Sequence, residues 1–418
     1  MVTVRVPHLS TASLVLYVRV GSRFETRRDN GLSHFLEHML FRGTRRHADS
    51  YDLNLAIERL GGLLNGSTAR DHSFYDTALP PEAVDDGIAL LGEMMGAPRF
   101  ARLDVERKAV LEEILGDFDE DGKLVDLDTL SRAAAFGDHP LGLPIAGTAA
   151  NVRRFDRRAL RAHHRRFYGA SNLVLCAVGP VRPARVRAAA RAAFGRFPAG
   201  TPAVLAAPPP ATARGARAAP RVQLVDSHGS QVDVRLTFRL FGEGDPDFPA
   251  VALLWRLLDD GVSARLHRRV YDDLGLAYDV GASFEAFHDA GVFDLYGACA
   301  ARNAPALVRE LCGLAAGLAR RPVGADELEK VKTRHRVQVR QMRDDAGALS
   351  GWYGGMELYG VPEPLARRAA RVQAVSAADL LRVARRIFTR GGLSVTVVGA
   401  LGARRRAALR RAVAEHAP

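Results

Sequence analysis

Between Phe197 and Arg221 the chain is punctuated by Pro198, Pro202 and the run Pro208-Pro209-Pro210, set among alanine and glycine. A proline inside a helix removes a backbone donor and clashes with the preceding turn, and in an inner strand it breaks the ladder. No helix or central strand can run through this stretch, so the 418 residues divide into two halves of similar size. Length alone points the same way, because a single core stops growing at roughly 250 to 300 residues. We read 1–200 and 221–418 as two domains and 201–220 as a Pro/Ala-rich linker.

Within the first half, the β-branched run Ser13 to Val20 predicts a strand, residues 31–41 a helix, and Tyr51 to Leu60 a helix stopped by Gly61-Gly62. Leu64 to Leu79 alternates as strand, Val84 to Met95 and Asp104 to Asp117 are helical, and Asn172 to Val178 is a buried strand. The second half repeats this order: Asp289 to Tyr296 echoes Asp71 to Tyr75, a helix from Pro305 to Leu318 follows, and Leu393 to Gly399 mirrors Leu173 to Gly179. The reading is α+β: two structurally similar, duplicated α/β-sandwich-like domains joined by the linker.

Composition narrows the function classes. No run reaches the 18 or so apolar residues of a membrane span, and the N-terminus lacks a secretory pattern, so a cytoplasmic protein is expected. Cys176, Cys299 and Cys312 are scattered in apolar runs and read as buried small hydrophobes. The net charge of +12 comes with no aromatic-interleaved basic motif or zinc-finger spacing, so we read it as solvated helix faces and expect no nucleic-acid partner.

The chemistry lies in Gly31-Leu32-Ser33-His34-Phe35-Leu36-Glu37-His38-Met39-Leu40-Phe41. Positions four apart share a helix face, so His34 and His38 can offer ring nitrogens to one ion, with Glu37 projecting from the same side. The other positions are apolar, and polar groups buried without partners cost several kcal/mol, so the three need a common reason to be there. In random order, the 13 His and 17 Glu of the chain give about 0.02 such pentapeptides, which makes the match specific. The alternative is a helix whose two histidines pair with carboxylates. Downstream, Glu106 and Glu113 stand two turns apart on one face of a helix, while Glu112 is rotated by about 100° and reads as solvated. A solvated charged face is the alternative for these too.

The stretch Gly31 to Thr44 followed by Glu106-x6-Glu113 resembles the pitrilysin or insulinase family of metallopeptidases, including mitochondrial processing peptidase-like enzymes. That family carries H-x-x-E-H and a glutamate ligand about 75 residues on, and here His38 and Glu113 are 75 apart. Gly61 to Thr68, His139-Pro140-Leu141-Gly142, Phe167 to Leu175, Gly261 to Leu266 and Leu274 to Tyr278 extend the likeness into both halves. The resemblance implies one Zn2+ per chain held by His34, His38 and Glu113, Glu37 as general base, and Glu106 as a supporting carboxylate. It implies a zinc endopeptidase acting on peptides or unfolded segments, with Asn65 and Ser67 on a substrate-binding strand and Tyr278 as a substrate anchor. Trp255 and Leu253-Leu254 stand where the second half would repeat the zinc helix and read as core, so that half is expected to bind substrate without a metal. His163-His164, in an Arg-rich helix, reads as surface, and His72 as structural.

Two departures bear on function. The family arginine seven residues before the tyrosine is Tyr271 here, with Arg268 and Arg269 out of register. The N-terminus is also short of much of the edge strand that precedes Ser13 to Val20. The readings that follow are an active zinc endopeptidase, a zinc-bearing subunit completed by a related chain, or a non-catalytic peptide-binding homologue, with a homodimer or a heterodimer with a related chain expected.

Overall fold

The computed structural model describes residues 1–208, 215 and 218–418. Part of the predicted linker, including Pro209 and Pro210, lies outside the described residues. The first half runs β1 (Val2–Arg5), β2 (Ala12–Val18), α1 (Leu32–Leu40), α2 (Ser50–Arg59), β3 (Asn65–Thr68), β4 (Ser73–Leu79), α3 (Val84–Gly96) and α4 (Leu103–Leu115). It continues through α5 (Leu127–Phe136), α6 (Ala149–Arg154), α7 (Arg157–Phe167), β5 (Leu173–Gly179) and α8 (Pro183–Phe194). The second half runs β6 (Arg221–Asp226), β7 (Val232–Phe241), α9 (Phe248–Asp259), a π-helical turn (His267–Asp273), β8 (Asp279–Ala286), β9 (Ala290–Cys299) and α10 (Ala304–Arg320). It closes with α11 (Ala325–Met342), α12 (Ala346–Leu358), α13 (Leu365–Ala374), α14 (Ala377–Ile387), β10 (Leu393–Gly399) and α15 (Ala403–His416).

The two sheets have one topology. Their orders are β1-β5-β2-β4-β3 and β6-β10-β7-β9-β8, and in each the first strand runs parallel to its neighbour while the other pairs are antiparallel. The duplication inferred from sequence echoes is therefore present strand for strand. The N-terminal edge strand β1 pairs over four positions, Val2↔Cys176 through Arg5↔Gly179.

Chain halves and compact units differ in two segments. One unit comprises Met1–Leu115, Leu143–Ala206 and Gln338–Leu365; the other comprises Gly116–Gly142, Ala207–Val337 and Ala366–Pro418. Helix α12 thus packs in the first unit, on β5 and β2, and α5 packs in the second, on β10 and β7. The reason is that each sheet has two apolar faces to cover. In β2, Leu14, Leu16 and Val18 enter the core beneath α1 and α3, while Val15 and Tyr17 meet Leu358 of α12, and the Ser13 and Ser350 hydroxyls pair at 2.7 Å. The same division recurs in β10. Leu393, Val395 and Val397 face one core, whereas Val398 packs with Leu130 of α5 and the Ser394 hydroxyl donates to the Ala134 carbonyl at 3.3 Å.

Helix α7 contains a correction to the sequence reading. His163 is buried rather than on the surface, its Nε2 3.0 Å from the Ser33 hydroxyl, because the face of α7 that carries Leu160, His163 and Phe167 turns inward while its arginines point out. His164 is half-buried, and its Nε2 donates to the Met95 carbonyl at 2.7 Å.

Two tests follow from this packing. A Cβ added to Gly354 would lie 2.4 Å from the Tyr17 ring and 3.2 Å from the Cys176 Cβ. Gly354→Ala is expected to lower unfolding stability by about 1–3 kcal/mol, read from a urea midpoint, since the ring cannot move without opening the α12 contact. The second concerns acid. Burial depresses the His163 pKa to about 3, with nearby Arg166 and His164 charges adding to the effect against Asp29. The neutral ring is the folded form, so its contribution is complete above the unfolded value of about 6.5 and is lost as pH falls toward 3, by up to about 1.4 kcal/mol per pH unit. Between pH 7 and 5 the urea midpoint of the native chain should fall more steeply than that of His163→Gln.

Candidate metal centre

Helix α1 carries the site, and its register is set from outside the helix. Gly31 precedes it in the left-handed region at φ 96°, where a Cβ would strike the Ala146 carbonyl at 2.5 Å, so glycine is required by both conformation and space. No capping side chain comes from Gly31 itself. The carboxylate of Glu25, six residues upstream, accepts from the Gly31 and Ser33 backbone N–H groups at 2.8 and 2.6 Å and from Asn30 Nδ2 at 3.1 Å. Burial pushes the Glu25 carboxyl up to about 7, against the pull of those donors. The hydrogen bonds that it accepts from Gly31 and Ser33 tie down the first turn of α1.

The imidazoles of His34 and His38 come together on one face, with Nε2 atoms 3.3 Å apart. Helix α4 brings Glu113 to them, Oε1 at 3.4 Å from His34 Nε2 and Oε2 at 3.6 Å from His38 Nε2. These are the one group of metal-ligating side chains found among the described residues with all its donor atoms within 4.8 Å. A tetrahedral ion with bonds of about 2.0–2.2 Å to nitrogen and oxygen separates its ligand atoms by about 3.3–3.6 Å. The His34–His38 spacing falls in that range, and each Glu113 oxygen lies within it of one imidazole nitrogen, so the residues present fit a zinc ion. His34 is buried, whereas the Glu113 side chain is half exposed, which leaves an open approach on the carboxylate side.

Behind this cluster, two turns before Glu113 on the same face of α4, Glu106 is buried. It meets His38 Nδ1 at 2.9 Å through one oxygen and receives Arg42 Nε on the other. A carboxylate has no proton to give, so His38 donates from Nδ1 and turns the Nε2 lone pair toward Glu113 and His34. Burial alone would lower the His38 pKa, but the Glu106 hydrogen bond and the charges of Glu37, Glu106 and Glu113 together hold it above the ordinary imidazole value. Glu106 is held below the usual carboxylate range by His38 and Arg42 despite its burial, and Glu113 mainly by its bond to His34. His34 Nδ1 is buried without a partner among the described residues.

Glu37 is buried on α1, and its Oε2 accepts from the Thr68 hydroxyl at 3.1 Å. Of the other residues predicted from sequence, Asn65 and Ser67 are exposed on β3, the outer strand of the sheet, and Asn65 Nδ2 reaches Asp76 at 3.3 Å. Tyr278 is in the second unit, 70% exposed just ahead of β8; Tyr271 lies on the π-helical turn with its ring 4.7 Å from that of His267. Glu112 is exposed, and His72 pairs with Asp71 at 3.0 Å beside the Tyr17 and Phe74 rings. Sequence reasoning missed Glu25, Arg42 and Thr68 as partners of the site. Arg42 and Thr68 lay in stretches already singled out, and Glu25 did not.

Residues 1–149 match the family model described as Insulinase (Peptidase family M16), and residues 154–334 match that described as Peptidase M16 inactive domain. An uncharacterized zinc protease of Streptomyces coelicolor is 31% identical over 418 residues, covering 99% of this chain and 90% of the relative. One from Mycobacterium tuberculosis is 31% identical over 410 residues, covering 97% and 92%. In fold, the chain is similar to a protease from Helicobacter pylori at TM-score 0.87 and 20% identity, with 95% and 96% of the two chains aligned. It is also similar to a structure titled as the peptidase M16 inactive domain from Pseudomonas fluorescens, at TM-score 0.85 and 20% identity over 95% of each. With likeness of this degree over nearly the full length of both chains, the protein belongs to the insulinase family, peptidase family M16.

Proposed function

We propose that the chain is a zinc-dependent endopeptidase that hydrolyses peptides or unfolded segments. The observation that carries this reading is the cluster of His34, His38 and Glu113, with ring nitrogens 3.3 Å apart and a Glu113 oxygen 3.4 Å from one and 3.6 Å from the other, where the Glu37 charge acts on His38. The relatives named as zinc proteases support the choice of ion and reaction class. Zinc bound by these three residues, one per chain, would supply Lewis-acid polarisation of the scissile carbonyl and a water made acidic enough to attack at neutral pH.

The remaining roles belong to the protein. Glu37 takes a proton from the attacking water on its free oxygen and returns it to the leaving amine nitrogen. Glu106, fixed by Arg42, holds His38 in the tautomer that keeps Nε2 available. The outer strand β3 has one unpaired side, where a substrate backbone can add as a further strand past Asn65 and Ser67. Tyr278 serves as a substrate contact of the second unit.

A second reading is favoured by Tyr271, which stands half exposed where the family arginine is expected. On it, the chain is the zinc-bearing subunit of a processing-type peptidase and is completed by a related chain that supplies the arginine. The two readings part on one comparison: cleavage of a mixed peptide library by the zinc-loaded chain alone, and again with a related chain added.

Glu37→Gln should abolish cleavage, by about 1000-fold or more, while zinc still binds at one per chain; undiminished cutting by the variant would sink the assignment of the base. Glu106→Gln should weaken zinc binding by about 10- to 100-fold in a chelator competition. Zinc affinity should also fall as pH drops through the raised pKa of His38, because protons and metal compete for the same ring.

A further inference from the structure

We propose that Thr68, backed by Ser73, is a positioning residue for Glu37. The proposal rests on the hydrolase reading above and adds to it the device that aims the base.

Thr68 ends β3 and stands directly opposite Ser73, which begins β4. The hairpin between them is tight, with the Ala69 N–H donating to the His72 carbonyl at 2.8 Å, so the two hydroxyls have little freedom. Their oxygens lie 3.1 Å apart, and Thr68 Oγ1 is in turn 3.1 Å from Glu37 Oε2. All three side chains are buried: Glu37 is 8% exposed, Thr68 7% and Ser73 0%.

The direction of the hydrogen bonds follows from counting protons. A carboxylate only accepts, so the single hydroxyl proton of Thr68 is committed to Glu37. Thr68 Oγ1 is then an acceptor toward Ser73, and Ser73 donates to it. The result is a one-way chain, Ser73 to Thr68 to Glu37, that ends on Oε2. Among the described residues no other side chain donates a hydrogen bond to the Glu37 carboxylate, so Oε1 is left for the water that must lose its proton. A glutamate has three rotatable bonds, and its carboxylate is a useful base only while it is held within a fraction of an ångström of that water.

Close approach of β3 to the helix makes the contact possible. A Cβ on Gly66 would lie 2.8 Å from the Phe41 ring and 3.2 Å from that of Tyr75, so glycine two residues before Thr68 lets the strand lie against the C-terminal end of α1. The strand proposed to receive substrate on its outer side therefore grips the base from its inner side. Asn65 and Ser67 point out of β3, and Gly66 and Thr68 point in.

The experiment compares Thr68→Val, which keeps the shape and removes the hydroxyl, with Thr68→Ser, which keeps the hydroxyl and loses the methyl. Each zinc-loaded full-length variant is assayed on the best-cut peptide of the library, its zinc affinity is measured by chelator competition, and the zinc-bound valine variant is crystallised beside the native chain. The expected result for valine is a kcat lower by about 10- to 100-fold, with KM and zinc affinity within about 2-fold, and a Glu37 carboxylate swung away from its native position. Thr68→Ser should recover most of that loss. A valine variant with native kcat, or with Glu37 unmoved in the crystal, overturns the proposal. So does a serine variant as impaired as valine with zinc affinity and melting temperature falling in step, which marks Thr68 as mere packing. If Glu37 moves in the crystal but the native chain cuts no peptide, the hydrolase reading fails, and the contact is structural only.

Discussion

Helix α1 is buried on nearly every side, yet it carries two imidazoles and a carboxylate, and much of the first unit is arranged to satisfy them. An unpaired polar group in such a place costs more than most single packing contacts return. Each of the three meets a partner drawn from a different element: Glu106 and Glu113 from α4, and Thr68 from β3. His163 of α7 reaches the neighbouring Ser33, and Glu25 holds the first turn from upstream. Beside that pairing, the ring nitrogens of His34 and His38 and the Glu113 carboxylate stand together, open to solvent through Glu113. On the proposed reading, an ion shared with Glu113 takes both imidazoles, which makes the pair tolerable in a core helix.

The sheets provide the rigid frame for this arrangement. A five-stranded sheet covered on one side only would leave Val15 and Tyr17 in water, and the chain solves this by sending α12 to the first sheet and α5 to the second. The exchange explains why β2 is buried along its whole length and why no polar alternation announces a solvent face in its sequence. It also explains why two compact units do not coincide with two halves of the chain. A proline-rich stretch forbids regular structure where it lies; it does not dictate which sheet a given helix will cover.

The candidate site was legible to the extent that it is local. His34, Glu37 and His38 lie within five residues, and Glu106 and Glu113 within eight, so helical periodicity alone puts each set on a face. The duplication was legible in strand echoes such as Leu173 to Gly179 and Leu393 to Gly399, which occupy the same place in sheets of identical order. His163 was misread as surface because an Arg-rich segment looks solvated when composition is averaged, whereas the helix segregates its arginines from the face that holds Leu160, His163 and Phe167.

By itself, then, the sequence determined the two-part α+β architecture, the H-x-x-E-H pentapeptide and the pair of carboxylates two turns apart. These are properties of short segments, set by side-chain periodicity and by the places where proline and glycine forbid regular structure. Only the tertiary structure decided that Thr68 grips Glu37, that Arg42 fixes Glu106, that Glu25 anchors α1, and that α5 and α12 cover sheets outside their own halves. Most of these contacts join residues that are remote in the chain, and none of them is marked by a period or motif. They exist because buried polar atoms and apolar faces must each find a partner, and which partner is in reach is settled only once the sheets have formed.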